Sequence, residues 1–172
     1  ILDPEDEYTT LAKKLHGKVI DVGSSKMGII NPFHIMTTLD DEDEPLGMTE
    51  AEKEALKNNP GAQQGGSDSF AVHLQFLEQF FRVILEGMDS DSFEALNSLV
   101  VEVYNEKGIN EKTHILSLSA DQFPIFDDLY RKICEKVDNE TNDYYKRIYM
   151  TIQTYVKKFA SGGRNSNLWN GP

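Results

Sequence analysis

Asp3 and Glu7, near the start of the chain, are the two side chains whose positions could support chemistry. They follow Ile1-Leu2, which the pattern indicates to be the end of a β-strand, and ligands bind beyond the carboxyl ends of strands in open α/β sheets. The two carboxylates would therefore border a binding site. A structural role also explains them, because Asp3 suits a helix N-cap and Glu7 places negative charge in the first turn. Taken alone, these residues favour the structural role.

Two other segments resemble nucleotide-binding motifs only in part. The string Gly23-Ser24-Ser25-Lys26-Met27-Gly28 follows a predicted strand, but its spacing is not that of a phosphate-binding loop. The string Phe123-Pro124-Ile125-Phe126-Asp127-Asp128 has the apolar run and terminal acids of a magnesium-binding strand. Its apolar residues nevertheless continue at helical spacing through Leu129 and Ile133, which favours a helix. Neither string predicts a phosphate site in this chain.

The histidines, the cysteine and an acidic run give weak indications of a site. The four histidines lack the spacing of a metal site, and no cysteine pair accompanies them. Cys134 lies beside Ile133 on a predicted amphipathic helix, where a core role is more common than catalysis. The acidic run at residues 40–44 could bind cations weakly, but it lacks the spaced ligands of a calcium loop and is typical of a solvated loop. We therefore predict no catalytic residue and no metal site.

The elements that would position Asp3 and Glu7 are a strand, a helix and a second strand. A helix is predicted for residues 3–16, with Gly17 as its left-handed cap, and the β-branched run at residues 18–22 predicts the second strand. This order is typical of a parallel crossover unit. Because two short strands cannot cover both faces of a sheet, the other strands would lie outside this chain. We therefore interpret residues 1–34 as a βαβ remnant of a larger parallel-sheet core, and the chain as a piece of a larger protein.

Residues 35–69 differ in composition from the segments on either side. They contain the acidic run, Asn58-Asn59-Pro60-Gly61 and Gly65-Gly66, which together are typical of a solvated, mobile insertion. A capping-box pattern that begins at Thr49 predicts one short helix within this insertion, ending near Leu56.

Residues 70–163 carry apolar side chains at helical spacing and predict a bundle of four helices. The first would start at Phe70 and be broadly buried, with Phe76 and Val83 widening its apolar face. The boundaries predicted for the later helices are starts at Asp91, at Ser119 or Asp121 and at Thr141 or Asn142, and ends at Gly108 and Gly162-Gly163. The residues predicted to lie in one core are Phe81, Leu85, Leu99, Val103, Ile133, Ile148 and Ile152. The predicted fold class is mainly α, a helical bundle attached to the βαβ remnant.

The charge of the chain bears on its partners. Acidic residues outnumber basic ones by 29 to 17, which gives a net charge of −12. This charge repels a phosphate backbone, so we expect no direct binding of nucleic acid. The single cysteine can form no internal disulfide and is typical of a reducing compartment. Since no apolar run has the length of a membrane span and no segment resembles a signal peptide, we expect a cytosolic protein.

Five short motifs, in order along the chain, carry a resemblance to a known family. They are Ile1-Leu2-Asp3-Pro4-Glu5-Asp6-Glu7-Tyr8, Val19-Ile20-Asp21-Val22, Asn31-Pro32-Phe33, His73-Leu74-Gln75-Phe76-Leu77 and Leu168-Trp169-Asn170-Gly171-Pro172. In this arrangement the chain resembles the TraC/TraE-type ATPases of conjugative DNA transfer and type IV secretion, which are P-loop motors of the HerA/FtsK superfamily. The resemblance runs the length of the chain.

The resemblance implies that the chain is the middle portion of such an ATPase, with a helical lobe inserted into the ATPase core. The phosphate-binding loop would lie before Ile1 and the metal-binding Asp-Glu strand after Pro172, and residues 164–172 would return toward the core. The parent protein would bind ATP and Mg²⁺, whereas this chain alone would hold no cofactor and would be inactive. Within the chain, only Asp3 and Glu7 would border the nucleotide.

The resemblance also implies partners. These would be other subunits of the same ATPase, in a family that is often hexameric, and components of the secretion channel. The protein would be cytoplasmic and would reach the inner face of the cell membrane only through these partners. The lobe would mediate subunit or partner contacts and relay the nucleotide state. The alternative is a free-standing helical module for protein–protein interaction, and a small intact enzyme is a weaker third interpretation because no catalytic constellation is present.

Overall fold

The chain is mainly helical. The computed structural model describes residues 8–15, 28–35 and 65–172. The helices are α1 (Thr9–Lys14), α2 (Gly65–Ile84), α3 (Ser90–Glu106), α4 (Phe126–Asn139), α5 (Asp143–Val156) and α6 (Ser166–Trp169), with 3₁₀ turns at Ile115–Ser117 and Ala120–Gln122. No strand occurs in these described ranges, and the mainly α fold class is confirmed.

Several predicted features of the first third of the chain lie outside the described residues. They are both strands of the βαβ remnant, the acidic run at residues 40–44 and the short helix that begins at Thr49. The βαβ remnant therefore stays a prediction. Helix α1 begins at Thr9, after Tyr8 as its N-cap, and is shorter than the helix predicted for residues 3–16.

Helices α3, α4 and α5 pack against one another and form the centre of the bundle. Helix α2 reaches this centre through large rings: Phe70 lies edge-on to Tyr104 with centroids 5.3 Å apart, and Phe81 lies edge-on to Phe126 at 6.2 Å. All seven residues predicted for the core are buried in one cluster. Among the helices of the described ranges, none is long and apolar enough to cross a membrane.

Two predictions about α2 are wrong. Phe76 and Val83, which were expected to widen its buried face, are 52% and 77% exposed, so only one side of the helix packs on the core. The helix also begins at Gly65 rather than at Phe70, so residues 65–69 are helical.

Helix α3 starts two residues earlier than its capping-box pattern predicted. Its N-cap is Asp89, whose carboxylate accepts hydrogen bonds from the Ser92 amide at 2.9 Å and the Ser92 hydroxyl at 2.8 Å. The predicted left-handed glycine at the end of the helix is confirmed, because Gly108 has φ +76° and follows the C-cap Lys107. The Ile109 amide donates to the Tyr104 carbonyl at 2.9 Å, the long bond of a Schellman motif.

Helix α4 starts later than predicted because a proline intervenes. Ser119 and Gln122 close a separate 3₁₀ turn, in which the Ser119 amide donates to Gln122 Oε1 at 2.8 Å. Pro124 disfavours helical backbone in the preceding residue, and Phe123 is extended at φ −74°, ψ 151°. Helix α4 therefore begins only at Phe126.

The predicted cap of the last long helix is confirmed, but its predicted end is not. Asn142 Oδ1 accepts a hydrogen bond from the Tyr144 amide at 2.9 Å, so Asn142 is the N-cap of α5. The helix ends at Val156, six residues before the glycine pair that was expected to end it. Turns follow, and they still bury Phe159 and Ala160 in the core.

Candidate functional site

The two predicted site residues, Asp3 and Glu7, lie outside the described residues and stay predictions. In the part of the chain that the structure describes, no group of His, Cys, Asp and Glu side chains is arranged to hold a metal ion. The structure instead links three of the five sequence motifs. We call residues 28–35 the entry segment and residues 164–172 the return segment. These two segments and His73 contact one another and the bundle, and we call this region the junction.

The entry segment is anchored by Phe33, which is fully buried. Its ring lies edge-on to Phe126 with centroids 5.2 Å apart and contacts the rings of Phe81 at 6.1 Å and Tyr104 at 6.3 Å. These partners come from three helices, α2, α3 and α4. Aromatic pairs in such tilted and edge-on arrangements add to the stabilisation from burial. One side chain thereby joins the entry segment to most of the bundle.

Asn31 gives the entry segment its shape. Its Oδ1 accepts a hydrogen bond from the Phe33 amide at 3.0 Å, as in an Asx turn, and its Nδ2 donates to the Pro124 carbonyl at 2.9 Å. The turn directs Phe33 into the core, and the second bond ties the segment to the residues just before α4. The hydroxyl group of Tyr104, buried in α3, donates to the Phe33 carbonyl, and burial raises the pKa of Tyr104 well above its usual value.

His73 connects α2 to the same segment. It is 7% exposed, and its ring lies edge-on to Tyr104 with centroids 6.3 Å apart. Burial lowers the pKa of His73 from 6.5 to about 4, and the nearby charge of His34 contributes a smaller part of this shift. A hydrogen bond with the Pro32 backbone acts in the opposite direction and raises the pKa. Among the described residues its Nε2 atom has no hydrogen-bond partner. His73 is therefore neutral at physiological pH.

The return segment pairs directly with the entry segment. The Ile30 amide donates a hydrogen bond to the Leu168 carbonyl at 2.9 Å. Gly171 is buried, and a Cβ atom at this position would lie 2.9 Å from Cδ1 of Ile29. A glycine thus permits the close approach of the two segments.

Asp127, Ser161 and Asn170 fasten the return segment to the first turn of α4. The Asp127 carboxylate accepts hydrogen bonds from the Ser161 amide at 2.7 Å and from the Ser161 hydroxyl. Asn170 accepts from the Asp127 amide at 3.0 Å and donates to Ser161 Oγ at 3.2 Å. Partial burial raises the pKa of Asp127, but the hydrogen bonds from Ser161 and Asn170 outweigh burial and hold the pKa below its usual value. The acid that imitated a magnesium ligand in the sequence is thus a hydrogen-bond acceptor that joins two segments.

A row of three rings borders the junction, of which Phe76 is exposed and Phe80 and Trp169 are partly buried. Phe76 stacks on Phe80 with centroids 6.0 Å apart, and Phe80 meets Trp169 of the return segment edge-on at 5.2 Å. We call Phe76, Phe80, Trp169 and the exposed Leu168 the aromatic ridge. Exposed apolar surface of this kind is typical of a contact site.

Sequence reasoning missed most of the junction. It placed the three motifs along the chain, but nothing in their spacing indicated that Asn31 binds the Pro124 carbonyl or that Asn170 binds the Asp127 amide. The available signal was their residue type, since asparagine next to proline or glycine is typical of a turn whose side chain bonds to backbone.

Comparison with known proteins gives a similarity to solved structures. No protein-family model matches this chain, and no curated protein matches it. Among solved structures, the chain is similar to VirB4 of Thermoanaerobacter pseudethanolicus, with a TM-score of 0.71 and 26% sequence identity. The match covers 99% of this chain and 36% of the VirB4 chain, so the chain spans about a third of the length of that protein.

VirB4 is a type IV secretion ATPase. The similarity confirms the resemblance to this group of ATPases that the sequence motifs predicted. It supports the interpretation of the chain as a part of a type IV secretion ATPase.

Proposed function

We propose that this chain is the helical lobe of a type IV secretion ATPase, and that the junction transmits movements of the ATPase core to the lobe. One observation carries the proposal: the entry and return segments are hydrogen-bonded to each other, through Ile30 and Leu168. The return segment is also bonded to the first turn of α4 at Asp127, and the entry segment to Pro124 just before that helix. These bonds hold the entry and return segments rigidly against the bundle. A displacement of the two segments would therefore move the bundle as one body.

In this proposal residues 1–34 and 164–172 belong with the ATPase core, and the bundle projects from it. The parent protein supplies the phosphate-binding loop and the metal-binding acids, and there ATP and Mg²⁺ provide the energy for movement. Asp3 and Glu7 border the nucleotide, so a change in nucleotide state reaches the entry segment first. The buried Phe33 then passes the displacement to α2, α3 and α4.

The aromatic ridge provides a surface for partners. Phe76 and Leu168 are exposed beside the junction, where the lobe would approach either the ATPase core or another subunit of the hexamer. Apolar surface that is exposed in one chain becomes a stable contact when a second surface covers it. Other ATPase subunits and channel components are the partners we propose, with a cytoplasmic location at the inner face of the membrane that depends on them.

The test of this proposal separates ATP hydrolysis from transport in the full-length ATPase. Asn31→Ala and Asp127→Ala each remove one fastening of the junction but alter no residue proposed to lie at the nucleotide. Glu111→Ala, at an exposed position in the loop after α3, is the control. We expect both junction variants to keep the rate of ATP hydrolysis within about twofold of wild type and to reduce the rate of substrate transport by about tenfold. Transport at the wild-type rate in both variants would contradict the proposal. So would an equal loss of hydrolysis and transport in variants whose thermal melts are normal.

A second test addresses the proposed nucleotide border. Glu7→Ala in the full-length ATPase should slow ATP turnover while the lobe stays folded, because the carboxylate acts at the strand end and not in the bundle. In the 172-residue chain alone, the same substitution should change nothing measurable in an ATP titration. Micromolar ATP binding by the 172-residue chain itself would contradict the view that the phosphate-binding groups lie elsewhere in the parent protein.

A further inference from the structure

A groove between α3 and α5 forms a second surface that shares no residue with the junction. Its volume is about 430 Å³. Residues of α3 and α5 line it, among them Asp91, Glu94, Leu99, Glu102, Tyr144, Tyr145 and Ile148. Leu99 and Ile148 belong to the buried core and form an apolar floor. The groove is thus a built depression between two packed helices.

Tyrosines form one wall of this groove. Tyr144 and Tyr145 are each 51% exposed, and their rings lie edge-on to each other with centroids 5.4 Å apart. The Tyr144 hydroxyl donates a hydrogen bond to Asp91 Oδ2 on the opposite helix. This bond joins α5 to α3 across 53 residues of sequence and fixes the ring in place. A wall of rigid, amphipathic rings costs little conformational entropy when a partner binds to it.

The acidic residues of the groove differ in whether a lysine already pairs with them. Glu102 pairs with Lys132 at 3.4 Å and Lys136 at 2.9 Å. Within the described residues, neither Asp91 nor Glu94 forms an ion pair, and Glu94 is exposed at the groove. The unbalanced negative charge therefore lies at the end of the groove that the tyrosines flank.

We propose that this groove binds an arginine-bearing segment of a partner protein. A guanidinium group is planar, so it can pair with the Glu94 carboxylate while its face packs against a tyrosine ring. Its aliphatic stem would cover the apolar floor at Leu99 and Ile148. The net charge of −12 attracts basic partners and repels nucleic acid, which favours a protein segment as the occupant.

This inference goes beyond the proposed motor function and does not depend on it. The groove needs neither nucleotide nor movement of the junction, and its test measures binding rather than hydrolysis. A failure of the groove proposal would leave the junction proposal intact, and the reverse also holds.

The experiment uses the 172-residue chain and a fluorescently labelled 12-residue helical peptide of alanines with three arginines, at 150 mM salt. Fluorescence anisotropy gives the Kd, and amide NMR shifts locate the site. We expect saturable binding, with shifts confined to residues 91–102 and 144–149. A matched peptide with glutamine in place of arginine should not bind, because the charge that Glu94 recognises is gone.

Two groove variants and one control decide between a site and general attraction. Glu94→Gln and Tyr145→Ala should each weaken binding of the arginine peptide by about tenfold, because each removes one half of the guanidinium site. Glu111→Gln changes the net charge by the same amount as Glu94→Gln at an exposed position outside the groove, and it should leave the Kd within about twofold. Both groove positions are exposed, so these variants should fold normally.

Three results would overturn the proposal. The first is no binding of the arginine peptide by the wild-type chain. The second is an equal loss of affinity in Glu94→Gln and Glu111→Gln, which would show attraction by net charge alone. The third is binding of the glutamine peptide with the same Kd, which would show that the groove takes any apolar helix.

Discussion

The hydroxyl group of Tyr104 donates a hydrogen bond to the backbone carbonyl of Phe33, across 71 residues of sequence. Both residues are fully buried, so the bond satisfies a carbonyl group that water cannot reach. The Tyr104 carbonyl also accepts a hydrogen bond from the Ile109 amide, and this bond closes the end of α3. The same residue thus ends a helix and holds the entry segment in the core.

Tyr104→Phe should lower the free energy of unfolding by about 1 to 3 kcal/mol. The substitution keeps the ring but leaves the Phe33 carbonyl buried without a hydrogen-bond partner. No bond then offsets the cost of removing that carbonyl from water, so the folded state is destabilised. Urea unfolding of the 172-residue chain measures the change. Tyr145→Phe is the matched control, because its side chain is half exposed and the change should stay within about 0.5 kcal/mol. Equal effects in the two variants would show that the Tyr104 bond adds no stability.

Leu99→Ala should lower the free energy of unfolding by about 2 to 5 kcal/mol, because Leu99 is buried where α3 meets α5 and its removal leaves a cavity. The control is Val83→Ala, which shortens an apolar side chain that is 77% exposed on α2 and should change stability by less than about 0.5 kcal/mol. A loss below about 0.5 kcal/mol for Leu99→Ala in denaturant melts would show that the residue is not part of the core.

The bundle could be predicted from the sequence because its helices bury one side at a regular spacing. The period of apolar residues identified all seven predicted core positions, which depend only on local spacing. The wrong predictions concern the start of α4 and the width of the buried face of α2. Pro124 overrode the capping pattern at Ser119, and Phe76 fitted the period of α2 while facing away from the core.

The junction could not be predicted because its bonds join residues far apart in the sequence. Asn31 and Pro124 are 93 positions apart, and the Asp127–Ser161 and Asp127–Asn170 bonds span 34 and 43 positions. Periodicity carries information about one helix face and none about which loops meet. The family resemblance identified the motifs that converge here, but only the fold shows that they touch.

His73 should make the stability of the chain depend on pH between about 6.5 and 4. Its pKa is 6.5 in the unfolded chain and about 4 in the folded one, so in this window the unfolded state binds a proton that the folded state does not. Stability is therefore complete above pH 6.5 and falls as the pH is lowered, by about 3 kcal/mol in total. Urea melts at pH 7, 6, 5 and 4.5 measure this slope.

The controls for the pH dependence are two single substitutions. His73→Gln removes the titrating group, so its stability should change less between pH 7 and 4.5 than that of the wild type, whatever its absolute value. His114→Gln replaces an exposed histidine and should keep the wild-type slope. If His73→Gln retains the full slope, the burial of His73 does not control the acid sensitivity.

Gly163→Ala and Gly171→Ala should differ in cost because their added methyl groups would meet different atoms. At Gly163 a Cβ would overlap the carbonyl groups of Lys157 and Lys158, which are backbone atoms that cannot move without breaking the turn after α5. At Gly171 the nearest atom is the end of the exposed Ile29 side chain, which can rotate away. We expect losses of about 3 kcal/mol or more for Gly163→Ala and about 1 kcal/mol for Gly171→Ala in urea melts. Ile29→Ala should then reduce the Gly171→Ala loss but leave the Gly163→Ala loss unchanged, because only the first clash involves Ile29. A double-mutant cycle with no coupling between Ile29 and Gly171 would mean that the entry and return segments do not pack as closely as the structure indicates.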